Sequence, residues 1–360
     1  MTLTKIALNP GFFGESEREF ARLDGLAASL FRYETGVEAV RLSNGRGHVI
    51  LLPYLGQMIW DAVFDGVRLG MKSMFAAPRR TETIIGTYGC LAFHSGLLRN
   101  GCPSPDDDHP LHGEMPCAPM DRAGLEVGRD ADGPFIRLTG EREYVMGFGD
   151  HYRARPTVTL RPGATLFDVT MAVENLGAGP MDLMYMCHTN FAFAEGARFV
   201  QPAPFTPERT VARTVIPGHV RATPDYRALI AELARNPAAL ERLDAPQRYD
   251  PEQVFYIRAP GIDRDGLTHF MLHRREGDGF AIAYDPASFP TTVRWVLNNP
   301  DQSVAAFAMP ATCEPEGYLA EKAKGNVRTL DPGAEARFAV RLGYLDKPAA
   351  ERQATFISSL

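Results

Sequence analysis

Apolar and polar residues alternate along the segment Thr165–Val173, and this period of two restricts what the chain can form. Side chains of a β-strand point to opposite faces in turn, so strict alternation is typical of a strand with one buried face. The preceding run His151–Leu160 is joined to it by Arg161-Pro162-Gly163, a turn sequence. The two runs therefore predict an antiparallel hairpin. The alternating apolar residues are Phe167, Val169, Met171 and Val173.

The same arrangement of short apolar runs and turn dipeptides recurs along the chain. Asn44-Gly45 and Asp65-Gly66 are dipeptides that favour tight turns with positive φ. We expect an all-β fold, mainly antiparallel, because strands joined by tight turns pair with their neighbours. The further strands that we predict are Val37–Ser43, His48–Leu52, Gln57–Phe64, Thr291–Leu297 and Ala336–Leu345.

Two segments have the period of a helix instead. In the first, residues 15–35, apolar residues recur at spacings of three and four, and Gly36 is a plausible stop signal. These residues are Phe20, Leu23, Ala27 and Leu30. The pattern predicts an N-terminal helix.

The second segment with helical period lies in residues 218–256. Tyr226, Leu229, Ile230 and Leu233 are spaced as on one helix face, and Asn236-Pro237 can begin another short helix. We expect a helical insertion that is either a surface elaboration or a lid or oligomer contact. Since no internal repeat or low-complexity linker is present, residues 1–360 are expected to form a single domain.

Composition narrows the classes of function. The net charge is −6, with 45% hydrophobic and 23% charged residues and no basic block, which disfavours nucleic-acid binding. No apolar run approaches the roughly 18 residues that span a bilayer, and the N-terminus lacks the long apolar stretch of a secretory signal. Five cysteines without a CxxC pair argue against a disulfide framework. We expect a cytoplasmic protein with a small polar ligand, and its composition is compatible with an oligomer.

Three short motifs combine the residue types of an acid–base site. His188 lies in Met184–Phe191, at the end of a predicted strand that follows the turn after Val173. Leu111-His112-Gly113-Glu114 precedes it and Cys313-Glu314-Pro315 follows near the C-terminus. Histidine titrates near neutrality and can donate a proton that a carboxylate on the other side accepts. Two histidines and a late glutamate thus suit a reaction with no cofactor and no metal.

These motifs, taken in order, resemble those of the aldose 1-epimerase (galactose mutarotase-like) superfamily, and in particular its DUF4432 branch. The resemblance covers about Val37 to Leu345 and includes the glycine-containing strand Leu51–Ile59 and the segment Gly96–Gly101. It implies a galactose mutarotase-like β-sandwich, or supersandwich, that interconverts the anomers of a sugar or sugar derivative. The other matching segments are Ala311–Pro315 and Leu330–Gly333.

The resemblance assigns roles to individual residues. His188 is the predicted acid, Glu314 the predicted base and His112 a polariser of the ring-oxygen region. Glu316 is the alternative base, and substrate contacts are expected from Arg99, Asn100, Glu114, Asn190 and Trp295. The chain departs from characterised mutarotases, which carry His-Gly-Gly where this one has His-Gly-Glu, and it lacks their Gly-Arg-x-x-Asn-Arg element. The scaffold can therefore be kept while the substrate or the reaction has changed.

Two other functions remain open from the sequence. His94, His109, His112 and Glu114 fall in one loop-rich segment and could hold a metal, as in a metal-dependent sugar isomerase or lyase. A non-catalytic carbohydrate-binding protein would need the sugar pocket but not the acid–base pair. The identity of the sugar is equally open, and an acidic sugar could be bound through Arg99 or Arg79-Arg80.

Overall fold

A computed structural model describes residues 2–218 and 220–360, and β-strands dominate it. The strands are β1 (Thr2–Ala7), β2 (Arg18–Leu23), β3 (Leu26–Arg32), β4 (Glu38–Ser43), β5 (Gly47–Leu52), β6 (Met58–Phe64), β7 (Val67–Arg68), β8 (Ala92–Leu97), β9 (Arg122–Asp130), β10 (Gly133–Val145), β11 (His151–Leu160), β12 (Leu166–Asn175), β13 (Met181–Thr189), β14 (Arg198–Val200), β15 (Thr210–Ala212), β16 (Gln253–Ile257), β17 (Thr268–His273), β18 (Gly279–Tyr284), β19 (Thr291–Asn298), β20 (Ser303–Ala311), β21 (Arg328–Leu330) and β22 (Glu335–Leu345). The helices are α1 (Pro224–Arg235), α2 (Tyr318–Lys324) and α3 (Lys347–Ile357).

The strands form two antiparallel sheets. The first has nine strands in the order β1-β9-β10-β11-β12-β22-β18-β17-β14. The second has thirteen, in the order β15-β16-β19-β20-β13-β8-β6-β5-β4-β3-β2, with β21 paired to β13 and β7 to β6. The prediction of a mainly antiparallel all-β fold is confirmed.

The main hydrophobic core lies between the two sheets. Phe167 and Val169 on β12 are buried, as their alternation predicted, and the ring of Phe167 lies 6.3 Å from that of Phe64 on the other sheet. Tyr185 on β13 approaches Phe338 on β22 in the same way, at 4.8 Å between ring centroids. Each sheet therefore has an inner face that contributes to this core and an outer face.

The predicted N-terminal helix over residues 15–35 is wrong. This segment contains the hairpin of β2 and β3, which is closed by Asp24-Gly25 with φ values of 48° and 81°. Two successive positive φ values are those of a tight hairpin turn, which Asp-Gly favours. The spacing of three and four arose because Phe20 and Leu23 lie on one strand whereas Ala27 and Leu30 lie on the next.

The helical insertion is confirmed over its central part. Thr223 caps α1, since its Oγ accepts a hydrogen bond from Tyr226 N at 3.2 Å, and α1 buries Ile230 and Leu233. Two 3-10 turns follow, at Pro237–Leu240 and Pro246–Tyr249. The end of the predicted insertion is instead β16, and residue 219 lies outside the described residues. The single-domain organisation stays a prediction.

Among residues 2–218 and 220–360, no helix is both long enough and apolar enough to cross a membrane.

Candidate functional site

A cavity of about 690 Å³ opens on the outer face of the thirteen-stranded sheet. The alternation of β13 directs side chains to it, because Tyr185 and Cys187 pack into the core whereas Met186 and His188 line the cavity. Strand alternation thus separates the side chains that pack in the core from those that line the cavity. The other lining residues include Phe75, Tyr88, His112, Arg213, Glu252, Val254, Val293, Trp295 and Met309.

His188 lies at the end of β13 in an aromatic environment. Its imidazole stacks on Phe93, the residue directly opposite on β8, with 4.4 Å between ring centroids. Its Nε2 is 3.3 Å from the hydroxyl oxygen of Tyr88, and the ring of Trp295 is 5.9 Å away. Burial lowers the pKa of His188 to about 3, although the side chain of Asn190 opposes this shift. The imidazole is therefore neutral at pH 7.

His112 is positioned by a turn and by a short hydrogen-bond chain. It has a φ of 64°, and its ring centroid lies 4.7 Å from that of His188. Ser95 Oγ donates to Asn100 Oδ1 at 2.5 Å and lies 3.1 Å from His112 Nδ1. A hydroxyl has one proton, so Ser95 accepts from His112 Nδ1–H once its own proton is given to Asn100. Asn100 thus orients His112 through Ser95.

A carboxylate that the sequence analysis missed lines the same cavity. Glu252 Oε2 accepts a hydrogen bond of 2.8 Å from Trp295 Nε1, and its Oε1 pairs with Arg213. The side chains of both charged residues are less than a tenth exposed. Glu252 precedes β16 in a Pro-Glu pair and has no spacing that marks it as functional. The only local signal is a carboxylate at the start of an apolar strand.

Glu314, the predicted base, has two cationic partners. Its Oε1 pairs with Arg258, and its Oε2 accepts from Lys324 Nζ at 2.8 Å. Burial alone would raise the pKa of Glu314, but the hydrogen bonds from Lys324 and Arg258 outweigh it and lower that pKa. Glu314 is not among the described residues that line the cavity, although its neighbour Pro315 is. The alternative, Glu316, accepts a hydrogen bond from the hydroxyl of Tyr256.

Glu114, a predicted substrate contact, holds a backbone loop. Its Oε1 accepts hydrogen bonds from the backbone N–H groups of Leu97 and Leu98, both at 2.8 Å. The hydroxyl of Tyr152 donates to the same oxygen at 2.9 Å. One carboxylate oxygen thus receives three donors from the protein itself, an arrangement that supports the loop before His112.

Two further predicted substrate contacts, Arg99 and Asn190, also bind other parts of the protein. The guanidinium of Arg99 lies 3.7 Å from the ring centroid of Tyr318. Asn190 Nδ2 donates to the backbone oxygen of Cys90 at 3.1 Å, next to the end of β13. Of the predicted site residues, His188, His112 and Trp295 line the cavity, and Asn100 reaches it only through Ser95.

The histidines proposed for a metal site lie in different environments. His188 lies opposite Phe93 on β8, and His94 is the next residue on that strand, so its side chain points to the opposite face of the sheet. Its Nδ1 lies 2.9 Å from the Tyr185 hydroxyl on the core side. Within the described part of the chain, no group of three or more His, Cys, Asp or Glu side chains could hold a metal ion. The expectation that no metal is required stays a prediction.

Comparison with known proteins identifies the family. Residues 34–343 match the model of a family described as a domain of unknown function, DUF4432. None of the curated proteins compared with the chain matches it. A Klebsiella pneumoniae protein, provisionally described as an aldose 1-epimerase, superposes with a TM-score of 0.79 at 19% identity, covering 99% of this chain and 95% of its own.

More distant structures share the same architecture. A galactose mutarotase-like protein from Clostridium acetobutylicum has a TM-score of 0.57 at 12% identity, with 92% of this chain and 98% of that chain covered. One from Lactobacillus casei has a TM-score of 0.53 at 14% identity, with 85% and 99% covered. These similarities show the fold, and the family match covers most of the sequence. The chain belongs to the DUF4432 family and has the galactose mutarotase-like β-sandwich fold.

Proposed function

We propose that this protein is an isomerase that interconverts the anomers of a sugar or sugar derivative bound in the cavity. The observation that carries the proposal is that His188, His112 and Glu252 line one cavity together with the indole of Trp295. An acid, a base and an aromatic surface for a sugar ring are the elements that such a reaction needs. The fold is shared with proteins described as aldose 1-epimerases and mutarotase-like proteins, which supports the same class.

The chemistry follows from the protonation states. Glu252 takes the proton of the anomeric hydroxyl while the bond between C1 and the ring oxygen breaks. The ring oxygen takes the N–H proton of the neutral imidazole of His188, which stays an imidazolate until ring closure returns that proton. The C1–C2 bond then rotates, and closure on the other face returns both protons. A neutral imidazole beside a carboxylate base is an established combination in proton-transfer enzymes. The low pKa of His188 keeps it in the neutral form.

Two observations favour Glu252 over Glu314 as the base. The two cations on Glu314 lower its pKa and therefore weaken it as a proton acceptor. Glu252 has one cationic partner, Arg213, and a neutral donor, the indole N–H of Trp295. A substrate hydroxyl could replace the indole hydrogen bond without leaving a buried charge unpaired.

Single substitutions distinguish the two carboxylates. Glu252→Gln and His188→Asn should each lower the rate of anomer exchange roughly a hundredfold to ten-thousandfold, because each removes a proton-transfer group. The rate is measured by NMR saturation exchange between α and β anomers across a panel of aldoses and acidic sugars. Glu351→Gln, on the exposed surface of α3, is the matched control and should keep the wild-type rate.

The outcomes separate the competing assignments. If Glu314→Gln abolishes exchange in a folded protein while Glu252→Gln does not, the base is Glu314, as the sequence predicted. If the wild type binds a sugar but never accelerates its anomer exchange, the protein is a carbohydrate-binding protein and the isomerase proposal fails. Loss of exchange after chelation, restored by a divalent metal, would favour the metal-dependent isomerase or lyase.

A further inference from the structure

We infer that the substrate carries an apolar substituent on the sugar ring, away from the anomeric carbon, and is not a fully hydroxylated monosaccharide. This inference rests on the proposed function, because it places the anomeric centre near His188 and Glu252. The apolar part would then contact the remaining wall of the cavity. Four features of the cavity support the inference: its floor, its rim, the partners of its polar groups and its size.

The floor of the cavity is apolar. It consists of Met186 on β13, Met309 on β20, Val293 on β19 and Val254 on β16. These four strands are neighbours in the sheet, in that order. Val293 and Met309 are paired directly across β19 and β20, so the apolar surface is continuous. All four side chains belong to one hydrophobic cluster on the outer face of the sheet. A sugar hydroxyl placed against this floor would lose water without gaining a hydrogen bond.

The rim of the cavity is also apolar and partly exposed. Met74 is 65% exposed and Ile85 is 60% exposed, although both line the cavity. Both belong to the segment between β7 and β8, and Pro217 and Val220 contribute further apolar surface after β15. Exposed apolar side chains around a concave site are typical of a surface that a ligand covers.

Several polar groups of the cavity already have hydrogen-bond partners within the protein. Both oxygens of Glu252 have partners in Arg213 and Trp295, and the indole N–H is used in that bond. Asn299 Oδ1 accepts hydrogen bonds from two backbone N–H groups of its own turn, including that of Gln302 at 2.9 Å. These groups can orient a few hydroxyls near His188 and Glu252, but a sugar with a hydroxyl on every carbon requires many more partners.

The size of the cavity leaves room for a substituent. Its volume of about 690 Å³ lies within the range of roughly 300–1,000 Å³ that is typical of sites for drug-sized ligands. Such a volume accommodates a pyranose ring together with an appended group of similar size. We therefore expect recognition to depend on the ring near His188 and on apolar contact with the floor and rim.

The test compares matched sugars with a free anomeric hydroxyl. Benzyl ethers of glucose and galactose at O-3, O-4 or O-6 are compared with the parent sugars and with methoxyethyl ethers at the same positions. Dissociation constants come from calorimetry and anomer-exchange rates from NMR. At least one benzyl ether should bind roughly tenfold or more tightly than its methoxyethyl counterpart, since apolar contact in a pocket gives discrimination of that order.

Rim variants show whether the preference arises in this cavity. Met74→Gln and Ile85→Thr should each reduce the preference for the benzyl ether severalfold, and folding should survive because both residues are largely exposed. The matched control is Ile262→Thr, since Ile262 is 54% exposed and lies outside the cavity lining. It should leave the preference unchanged.

The failure of this inference differs from the failure of the proposed function. If the parent sugars bind and exchange as well as every benzyl ether, the inference is overturned while the isomerase proposal stands. If a benzyl ether binds with the expected preference but its anomers do not exchange faster, the inference stands and the isomerase proposal fails. If no benzyl ether binds more tightly than its methoxyethyl counterpart, the apolar surfaces do not select the substrate.

Discussion

Two buried histidines should make the folded protein sensitive to mild acid. His94 hydrogen-bonds to the hydroxyl of Tyr185, and burial lowers its pKa from 6.5 to about 4. Burial likewise lowers the pKa of His188 from 6.5 to about 3. In the unfolded chain both histidines titrate near 6.5. Between pH 6.5 and about pH 3–4 the unfolded state therefore binds more protons, so the free energy of unfolding falls as the pH falls.

The size of the effect follows from the pKa differences. One pKa unit corresponds to about 1.4 kcal/mol. The full contribution to the free energy of unfolding at neutral pH is therefore about 3 kcal/mol for His94 and about 5 kcal/mol for His188. Only part of this stabilisation is lost at pH 5, where each histidine lowers the free energy of unfolding by about 2 kcal/mol relative to pH 7. Together the two decreases are a large part of the roughly 5–15 kcal/mol by which folded proteins are stable.

Urea denaturation at pH 5, 6 and 7, followed by circular dichroism, measures this dependence. His94→Gln keeps a hydrogen-bonding group near Tyr185 but cannot titrate, so its stability should fall about 2 kcal/mol less than that of the wild type between pH 7 and pH 5. The change with pH is the readout, because the substitution also alters stability at pH 7. His151→Gln, at a partly exposed site beside Glu143, is the control.

The reasoning fails if His94→Gln shows the same decrease in stability between pH 7 and pH 5 as the wild type. An equal decrease would mean that His94 is already protonated in the folded protein, or that it stays neutral after unfolding. If the stability of His188→Asn decreases between pH 7 and pH 5 as much as that of the wild type, the corresponding argument for His188 is contradicted. Reduced pH dependence in the His151→Gln control would show that exposed histidines cause the effect.

Other substitutions have expected costs that follow from single contacts. Glu114→Ala should destabilise the protein by about 3 kcal/mol in urea denaturation, because three buried donors lose their acceptor. Gly113→Ala should cost roughly 3 kcal/mol or more by the same assay, since its φ is +78° and a Cβ would lie 2.0 Å from the backbone oxygen of Arg99. Thr223→Ala removes the cap of α1 and should cost about 1 kcal/mol, measured as a shift in the urea midpoint. Treatment with EDTA should leave the anomer-exchange rate measured by NMR unchanged.

Strand prediction from this sequence worked where alternation and turn signals agreed. The run His151–Leu160 coincides with β11, and Asn44-Gly45 lies between β4 and β5 as predicted. At Asp24-Gly25 the turn dipeptide conflicts with the helical spacing of the apolar residues around it. That spacing arises because these residues belong to two neighbouring strands. The turn dipeptide was the better guide, since its positive φ values are a local requirement whereas the spacing is a coincidence of two strands.

The histidines of the site were predictable because short-range sequence determines their position. His188 ends a strand whose alternation directs it outwards, and His112 occupies a turn that Gly113 makes possible. Both conditions are visible in a few consecutive residues. Glu114 shows the limit of this reasoning, because it lies two residues after His112 in sequence yet binds the backbone N–H groups of Leu97 and Leu98.

Glu252, which we propose as the base, could not be predicted in the same way, because long-range strand pairing brings it to the cavity. Glu252 meets Trp295 only because β16 pairs with β19 in a register that places Val254 opposite Trp295. Glu252 and Trp295 are 43 positions apart in the chain. The helix α1 and the 3-10 turns that follow it precede Glu252 in a region whose sequence indicates helix. Glu314 instead follows a strand and precedes a proline, which gives it a local pattern that Glu252 lacks. The local pattern contains no information about Arg258 or Lys324, whose charges decide how basic Glu314 can be.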